Sequence, residues 1–457
     1  MNNLGQTFRE LRPSFAGFAL LAALEQYVHF QGVCQNAFQL VLFFGIQIVV
    51  LGLWAVLFHV KEIGASVPAI VAGGASVGVA FSLLFVATEG SLSNLAVALS
   101  GACFALLYLP WFQAFGKLDT RQAFCCIFGC QAIAGLLGAC AAFFPPNIRA
   151  LAFAVCAVAS TASSLDAERG QPPAREPASF YEKGSRREPA QYAALLFLFG
   201  LSAGYFNQGD ASQFFVEPSQ YFAVWSVGAS MLALVCLALI DCQRVEPSLN
   251  LVWRLFVVMM LACFLDAQAF PDSPLGQAAI NCVVCMGRTT VVNVFTLAMI
   301  DIARYARWKT PAVLSAGYAI SILSFLIPEA VGIAIGGPLS SLPGFWIVAF
   351  VIISGSLLLV RERDFSNARV FAELCSPSKP LSAFDAMESQ CLRVAGQYGL
   401  SNREADVLRY LSAGRTRAYI AETLFISEST VASHSKRIYQ KLGVHSKREL
   451  MDLVESD

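Results

Sequence analysis

The chain has 457 residues, of which 56% are hydrophobic and only 14% are charged. A soluble domain usually carries about 25% charged residues, so this composition excludes an ordinary water-soluble protein over most of the length. Basic and acidic residues number 31 each, but this zero net charge is an average over unlike regions and identifies no partner.

Apolar runs recur from residue 13 onward, and each approaches the length of about 20 residues that a helix needs to cross a bilayer. Because backbone groups cannot stay unpaired in lipid, these runs predict helices. We count twelve: 13–33, 37–59, 67–88, 92–115, 120–143, 146–165, 190–209, 219–241, 250–270, 275–302, 311–336 and 342–360. The predicted fold class is all-α, with a polytopic twelve-helix bundle followed by a small helical domain.

Lysine and arginine are concentrated in alternate loops. With the N-terminus in the cytoplasm, the inner loops hold Arg9, Arg12, Lys61, Lys117, Arg121, Lys183, Arg186, Arg187, Arg244, Arg304, Arg307, Lys309, Arg361 and Arg363. The outer loops hold Arg149 and little else. This bias predicts a multi-pass protein of the cytoplasmic membrane with both termini inside.

A polar segment rich in Pro and Gly, Ser163 to Ala190, divides the runs into six and six and predicts a flexible linker. The predicted parts are a first half (1–165), a linker (166–189) and a second half (190–360). This architecture resembles the major facilitator superfamily (MFS). Members usually carry a Gly–Asp–Arg/Lys motif in the loop after the second span. Here that loop reads HVKEIGASVP, and the missing motif counts against active transport but not against the fold.

Ionisable residues inside predicted spans are costly and mark candidate functional sites. There are four of them, which we treat as candidate ligand-binding residues: Glu25, Asp266, Arg288 and Glu329. Arg288 needs an anion because it cannot deprotonate. That anion is either one of the three carboxylates or a bound anionic or phenolic ligand. Glu329 follows Pro328, where we expect an interrupted helix of the kind that forms binding sites in transporters.

The composition becomes polar after Val360, and residues 361–399 predict a cytoplasmic connector. Its second part repeats apolar residues at three- and four-residue steps up to Gly399, which predicts an amphipathic helix. The residues of this stripe are Leu381, Phe384, Met387, Cys391, Val394 and Tyr398.

Residues 400–457 contain the capping signals of four short helices. Ser401 with Glu404 forms a capping box for the first, and Ser446 with Glu449 forms one for the fourth. Thr416 and Ser427 are suited to cap the second and third helices. The tight step between these two predicts a helix-turn-helix (HTH) unit.

The third helix has one apolar face and one polar face. Ile438 and Leu442 each fall within about 20° of Val431 at 100° per residue. From Ala432 to Arg448 the chain carries cations and no acidic residue. Such a helix is suited to a DNA major groove, with cations on phosphates and short polar groups near base edges. The alternative is the solvated face of a protein-binding helix.

These residues also form a recognisable pattern: L-S-x-R-E-x-x-V-L (Leu400–Leu408), Gly414, I-A (Ile420, Ala421), I-S-x-S-T-V (Ile426–Val431), His434 and K-L-G-V (Lys441–Val444). The pattern resembles the LuxR/NarL-type DNA-binding domain, which implies sequence-specific binding, usually as a dimer with a contribution from the fourth helix. That helix would offer Leu450 and Val454.

The exposed face and the resemblance together predict ten DNA-contacting residues: Thr416, Ser427, Ser429, Thr430, Ala432, Ser433, Lys436, Arg437, Gln440 and Lys441. The family often has lysine directly after the T-V pair, where this chain has Ala432, so one contact candidate is absent. Tyr419 stands where the family usually has an acidic residue.

The sequence therefore predicts a one-component transcription regulator in a bacterial membrane. Its expected partners are promoter DNA, the lipid bilayer, a small-molecule ligand and a second copy on DNA. Two alternatives remain: a transporter with a secondary regulatory domain, and a membrane-anchored regulator without ligand sensing. No arrangement of residues typical of an enzyme, a metal site or a cofactor site is present, so we expect no catalysis, metal or cofactor.

Overall fold

The computed structural model describes residues 4–28, 37–64, 66–85, 93–170, 193–194, 197–198, 200–201, 218–241, 274–306, 308–335, 390–391, 394–412, 416–424 and 426–456. Every regular element in these ranges is helical, in agreement with the all-α prediction. The chain divides into two compact units, Met1–Cys375 and Ser376–Asp457, which are described separately.

The first unit contains eleven α-helices within its described residues. They are α1 (Leu4–Glu10), α2 (Gly17–Tyr27), α3 (Ala37–Val60), α4 (Ser66–Phe85), α5 (Ser93–Leu107), α6 (Leu109–Phe115), α7 (Thr120–Ala141), α8 (Pro146–Gly170), α9 (Pro218–Asp241), α10 (Pro274–Tyr305) and α11 (Thr310–Ile335). A short 3₁₀ turn, Pro13–Ala16, precedes α2.

Seven stretches of helix in the described residues are long and apolar enough to cross a membrane. They are Phe38–Val60, Ser66–Leu83, Asn94–Phe115, Thr120–Ala141, Pro146–Arg169, Ala223–Ile240 and Thr310–Gly332. Large apolar side chains on them face outward, such as Leu53 at 61% and Ile70 at 74% exposure. An outward apolar surface suggests association with a membrane.

The seven stretches coincide with seven of the twelve predicted spans, so the twelve-span count is not confirmed. The run at 275–302 forms the 32-residue helix α10. The run at 13–33 begins with the 3₁₀ turn and the 11-residue helix α2, and its end lies outside the described residues. The runs at 190–209, 250–270 and 342–360 fall largely or wholly outside the described residues.

Neighbouring helices of the first unit approach each other closely where glycine removes the side chain. Helix α7 packs against α9, and a Cβ added at Gly135 would lie 2.2 Å from the carbonyl oxygen of Ser226. Helix α3 packs against α5, where a Cβ at Gly101 would lie 2.5 Å from the Phe43 carbonyl oxygen. Small residues allow this close helix packing in membranes.

One expectation about the membrane helices was wrong. We expected an interruption at Pro328 and Glu329, but α11 continues from Thr310 to Ile335 with Pro328 inside it. Membrane helices tolerate proline because neighbouring groups can satisfy the freed carbonyl.

The second unit contains α12 (Asn402–Ser412), α13 (Arg417–Leu424), α14 (Glu428–Leu442) and α15 (Lys447–Ser456). Their bounds confirm the four helices predicted from the capping signals. In the first capping box the Ser401 amide donates to Glu404 Oε2 at 2.8 Å, and the Glu404 amide donates to Ser401 Oγ at 3.3 Å. Helix α14 ends at Gly443, whose φ of 69° favours glycine.

A single apolar core holds the second unit together. It includes Val407, Leu408, Leu411, Ile420, Val431, Ile438, Leu442, Leu450 and Val454. Cys391 and Val394, from the predicted amphipathic stripe, are buried in the same core, whereas residues 381–389 of that stripe lie outside the described residues. Leu450 and Val454 are fully buried, so the expectation that they are offered to a dimer partner was wrong.

Candidate functional site

The start of α14 is organised by hydroxyl groups. Ser427 is the N-cap, with its Oγ accepting from the Thr430 amide at 3.2 Å. The same Oγ lies 2.8 Å from Ser429 Oγ and 2.8 Å from Thr430 Oγ1. Three hydroxyls therefore gather at the positive end of the helix dipole, where anions bind favourably.

The predicted DNA-facing side of α14 is open to solvent. Ser429, Ser433, Lys436, Arg437 and Gln440 are exposed, and Thr430 and Ala432 are half-buried. On the opposite side Val431 and Ile438 are fully buried, and Leu442 is 5% exposed. Helix α14 thus has the two faces that its periodicity predicts.

Thr416 is exposed at the start of α13, whereas Ser435 is buried on α14. Thr416 is exposed, and its Oγ1 accepts from the Tyr419 amide at 3.3 Å, so it caps α13 as predicted. Ser435 is buried and donates to the Val431 carbonyl at 2.8 Å. It lies on the apolar side despite being polar, because the bond to the preceding turn satisfies its hydroxyl.

The cations of α14 differ in how they are engaged. Among the described residues Lys436 and Arg437 have neither an ion pair nor a side-chain hydrogen bond. Lys441 has two partners: its Nζ lies 2.8 Å from Glu404 Oε2 and donates to the Gly399 carbonyl at 2.9 Å. The contacts of Lys441 favour a structural role for a residue that we expected to contact DNA.

Glu404 is the centre of this structural contact. Its side chain is only 4% exposed, and it receives hydrogen bonds from Lys441 and from the Ser401 amide. These bonds stabilise the carboxylate and lower the pKa of Glu404 from 4.5 to about 2. The pair joins the N-terminus of α12 to the C-terminal turn of α14.

Arg403 forms a second contact between helices of this unit, which the sequence analysis did not identify. Its Nη2 donates to the Leu424 carbonyl at 2.7 Å, and its Nη1 lies 3.5 Å from Asp406 Oδ2. The carbonyl at the end of α13 has no partner within its own helix, so Arg403 satisfies it and holds the turn before α14. The R-E pair of the motif thus positions both helices of the HTH unit.

The candidate ligand-binding residues of the first unit are described only in part. Glu25 is exposed on α2 and lies within electrostatic range of Tyr318 on α11. Arg288 lies on α10 and Glu329 on α11, but their side chains are outside the described part of the chain, as is all of Asp266. The expected cluster therefore remains a prediction.

A polar contact joins the two predicted halves near the ends of α7 and α10. Thr120 Oγ1 donates to Asp301 Oδ1 and accepts from Arg304 Nη1 at 3.3 Å. Thr120 and Asp301 are buried, so these bonds form away from solvent. Residues from 1–165 and from 190–360 are thus held together at this end.

Comparison with known proteins identifies the second unit. Residues 399–454 match the family model "Bacterial regulatory proteins, luxR family". The "Fimbriae Z protein" of Salmonella typhimurium is 49% identical over 57 residues, which are 12% of this chain and 27% of that protein. The C-terminal domain is therefore a LuxR-type HTH domain of the kind found in transcriptional regulators.

Two further relatives match a similarly small share of the chain. The "Uncharacterized response regulatory protein YgeK" of Escherichia coli is 33% identical over 88 residues, or 18% of this chain and 60% of that protein. The "Virulence factors putative positive transcription regulator BvgA" of Bordetella pertussis is 43% identical over 56 residues, or 12% and 27%. The chain thus spans only about a quarter of the length of several relatives and under two thirds of YgeK.

Proposed function

We propose that this protein is a membrane-embedded, one-component transcription regulator. The observation that carries the proposal is the exposed face of α14, in a LuxR-type domain on a chain whose described residues include seven helical stretches of membrane-spanning length. Lys436 and Arg437 are exposed cations suited to phosphates, and Ser429, Ser433 and Gln440 are short or flexible polar groups suited to base edges. We assign Lys441 a structural role within the domain and not a contact with DNA.

The helix pairs of the first unit support the transporter-like arrangement of two halves. In the twelve-span count, α3 and α7 are the second and fifth spans, and α9 and α11 are the eighth and eleventh. Helix α3 packs against α11, and α7 packs against α9. The second span of each half thus meets the fifth span of the other, as an internal two-fold axis requires.

In this proposal a small molecule bound by the first unit controls DNA binding by the second. Ligand binding has this effect only if it favours one arrangement of the membrane helices over another. The two-halved arrangement is suited to the role, since halves that rock against each other provide two discrete states. The connector, residues 361–399, would carry the change.

Dimerisation on DNA is part of the proposal. Because Leu450 and Val454 are buried, we assign the contact to the outer side of α15, where Met451 and Leu453 are half-buried and Asp452 is exposed. Two subunits would then read two half-sites in successive major grooves.

The direct test is a footprint of the full-length protein in nanodiscs on the promoter DNA that flanks its own gene. The wild type is compared at fixed salt with Lys436→Ala and with Lys61→Ala, which removes an exposed lysine of the first unit. We expect protection that weakens with Lys436→Ala only. Equal protection by both variants would show that α14 is not the helix that contacts the DNA bases.

The two-fold helix arrangement also favours a second candidate, a transporter that regulates. Uptake of a compound that induces the target gene, measured in proteoliposomes, distinguishes the two. Counterflow by the purified protein would support the transporter, and binding without transport would support the sensor.

A further inference from the structure

One serine on the exposed face of α14 donates its hydroxyl hydrogen within the helix. Ser433 is exposed, and at 100° per residue it lies about 160° around α14 from the buried Val431. Its hydroxyl donates to the Ser429 carbonyl at 3.0 Å. Ser433 is therefore directed away from the core, and its single hydroxyl hydrogen is engaged by the preceding turn.

The backbone at Ser433 does not supply another donor. Only the first four N–H groups of an α-helix lack a partner within the helix. Ser433 lies beyond them, because α14 begins at Glu428 and continues to Leu442. What Ser433 presents to a ligand is the hydroxyl oxygen, which still has lone pairs to accept a hydrogen bond.

The bond to Ser429 gives Ser433 a preference for donor partners. To donate to a ligand, the hydroxyl must first give up the Ser429 carbonyl, so one hydrogen bond is exchanged for another with little net gain. To accept from a ligand, it keeps that bond and adds a second one. Ser433 therefore favours a ligand group that carries a hydrogen.

The neighbouring hydroxyls at the start of α14 also have few free hydrogens. Ser427 Oγ lies 2.8 Å from Ser429 Oγ and 2.8 Å from Thr430 Oγ1. Each of these contacts uses one hydroxyl hydrogen, so of the three hydrogens only one remains for a ligand. The short polar side chains of this face thus offer more acceptors than donors.

The major groove of DNA presents hydrogen-bond donors on two of the four bases. Adenine and cytosine carry amino groups there, whereas guanine and thymine present only acceptors and, on thymine, a methyl group. Phosphate oxygens accept but do not donate, so a side chain that only accepts is unsuited to them. The N-terminal part of a recognition helix, where Ser433 lies, is the part that reaches base edges.

We propose that Ser433 is a specificity-determining residue, which selects an amino base (adenine or cytosine) over a keto base (guanine or thymine) at one position of each half-site. Its oxygen accepts from the amino group, and the bond to Ser429 fixes the direction of the hydroxyl. The assignment rests on the proposed function, because it requires α14 to enter the groove. It adds the class of base that one side chain recognises.

Selection from a library of random-sequence duplexes tests the assignment on the full-length protein in nanodiscs at fixed salt. We expect the wild type to enrich a site in which one position is adenine or cytosine. Ser433→Ala should enrich the same site without a preference between amino and keto bases at that position. The other positions should stay as in the wild type, because the remaining side chains of α14 are unchanged.

Ser435 provides the matched control, because it makes the same type of bond on the opposite side of α14. Its hydroxyl donates to the Val431 carbonyl at 2.8 Å, but the residue is only 2% exposed. Ser435→Ala should therefore leave the base preference unchanged. Ser433→Thr should retain the preference, because a threonine hydroxyl can bond the same preceding turn.

Affinities for the selected duplex measure the size of the effect. The selected base is replaced by its analogue without the amino group, which is purine for adenine and 2-pyrimidinone for cytosine. This change should lower the affinity of the wild type and of Ser435→Ala about fivefold more than that of Ser433→Ala, as expected for one hydrogen bond. Any effect of the analogue on base pairing cancels, because all proteins bind the same two duplexes.

Three results would overturn the assignment. The first is a Ser433→Ala variant that selects the same amino base as the wild type. The second is a Ser433-dependent preference for guanine or thymine, which would mean that the hydroxyl donates. The third is a Ser433→Ala variant that binds all duplexes more weakly by the same factor, which would indicate a phosphate contact. Failure of the proposed function has a different result, in which neither the wild type nor Ser435→Ala enriches any sequence, and that result would refute both.

Discussion

Replacing Lys441 with methionine separates the structural and DNA-binding roles of α14. Methionine keeps the unbranched aliphatic side chain and removes the charge. In the wild type, Lys441 Nζ contacts Glu404 Oε2 at 2.8 Å and the Gly399 carbonyl at 2.9 Å. Without it, a carboxylate that is 4% exposed keeps only the bonds within its capping box.

The expected cost follows from these interactions. A hydrogen bond to a charged group contributes about 1.5–3 kcal/mol, and Lys441 is 39% exposed, which screens the pair and places it near the lower end. We expect a loss of about 2 kcal/mol, or about 8–16 °C in the unfolding midpoint of a unit of this size. The matched control, Lys436→Met, removes an exposed cation without a partner and should change stability by less than about 0.5 kcal/mol.

The assay combines urea unfolding of the Ser376–Asp457 unit with DNA affinity of the full-length protein at several salt concentrations. Lys436→Met should lower the slope of log affinity against log salt by about 0.9 for each phosphate that the protein no longer neutralises. Lys441→Met should keep the slope at a temperature where it is folded. A stable Lys441→Met variant with a reduced slope would refute the structural assignment and return Lys441 to the DNA-contacting set.

The pH dependence of stability provides an independent check on the same pair. The folded-state pKa of Glu404 is lowered from 4.5 to about 2, so its contribution is fully present above about pH 4.5 and is lost as pH falls towards 2. The difference in unfolding free energy between the wild type and Lys441→Met should shrink across that window. A difference that stays constant down to pH 2 would mean that the Glu404 carboxylate is not the group that Lys441 stabilises.

Three further substitutions test backbone and packing features. Gly443→Ala should cost about 1 kcal/mol in urea unfolding because φ is 69°, whereas Gly396→Ala, with nothing within 4 Å of the added Cβ, should not destabilise. Ser427→Ala should cost about 1 kcal/mol because the N-cap is removed, measured in the same way. Gly135→Ala should lower the midpoint of the full-length protein in detergent by several degrees, because the new Cβ would lie 2.1 Å from Ser230 Oγ, whereas Gly74→Ala meets nothing within 4 Å.

Local signals predicted the second unit well because capping is a local interaction. Ser401, Thr416, Ser427 and Ser446 each bond an amide three residues onward, and the helices begin where these signals occur. The helical periodicity of apolar residues is also a local property, and it correctly predicted that Val431 and Ile438 lie in the core. The family match covers these residues and adds the function that capping alone does not reveal.

The interactions that the sequence did not predict are those between distant positions. Lys441 lies on the exposed side of α14 by periodicity, yet its partner Glu404 is 37 residues away. The family resemblance led us to offer Leu450 and Val454 to a dimer partner, and the apolar stripe could not correct this because it does not reveal whether its partner is the same chain or another. Arg403 likewise donates to the Leu424 carbonyl 21 residues away, a contact that no spacing in the sequence encodes.

Helix α8 connects the two ends of the first unit. It has 25 residues, about 37 Å of helix, with Arg149 in its first turn. In its last turns Asp166 pairs with Arg12 at 3.5 Å and Glu168 pairs with Lys117 at 3.6 Å. Both ion pairs therefore lie at the same end of one long helix of the first half.

The effect that a bound small molecule can have on DNA binding is limited by its preference for one arrangement of the membrane helices. A tenfold change in DNA affinity requires about 1.4 kcal/mol of differential binding, and linkage requires DNA to change the ligand's affinity by the same factor. Lys117 directly precedes the segment that holds Thr120, which bonds to Asp301 and Arg304 of the other half. A shift at the Lys117–Glu168 pair would thus reach the contact between the halves, and Asp301→Asn, which weakens that contact, should change ligand response without changing the DNA-binding face.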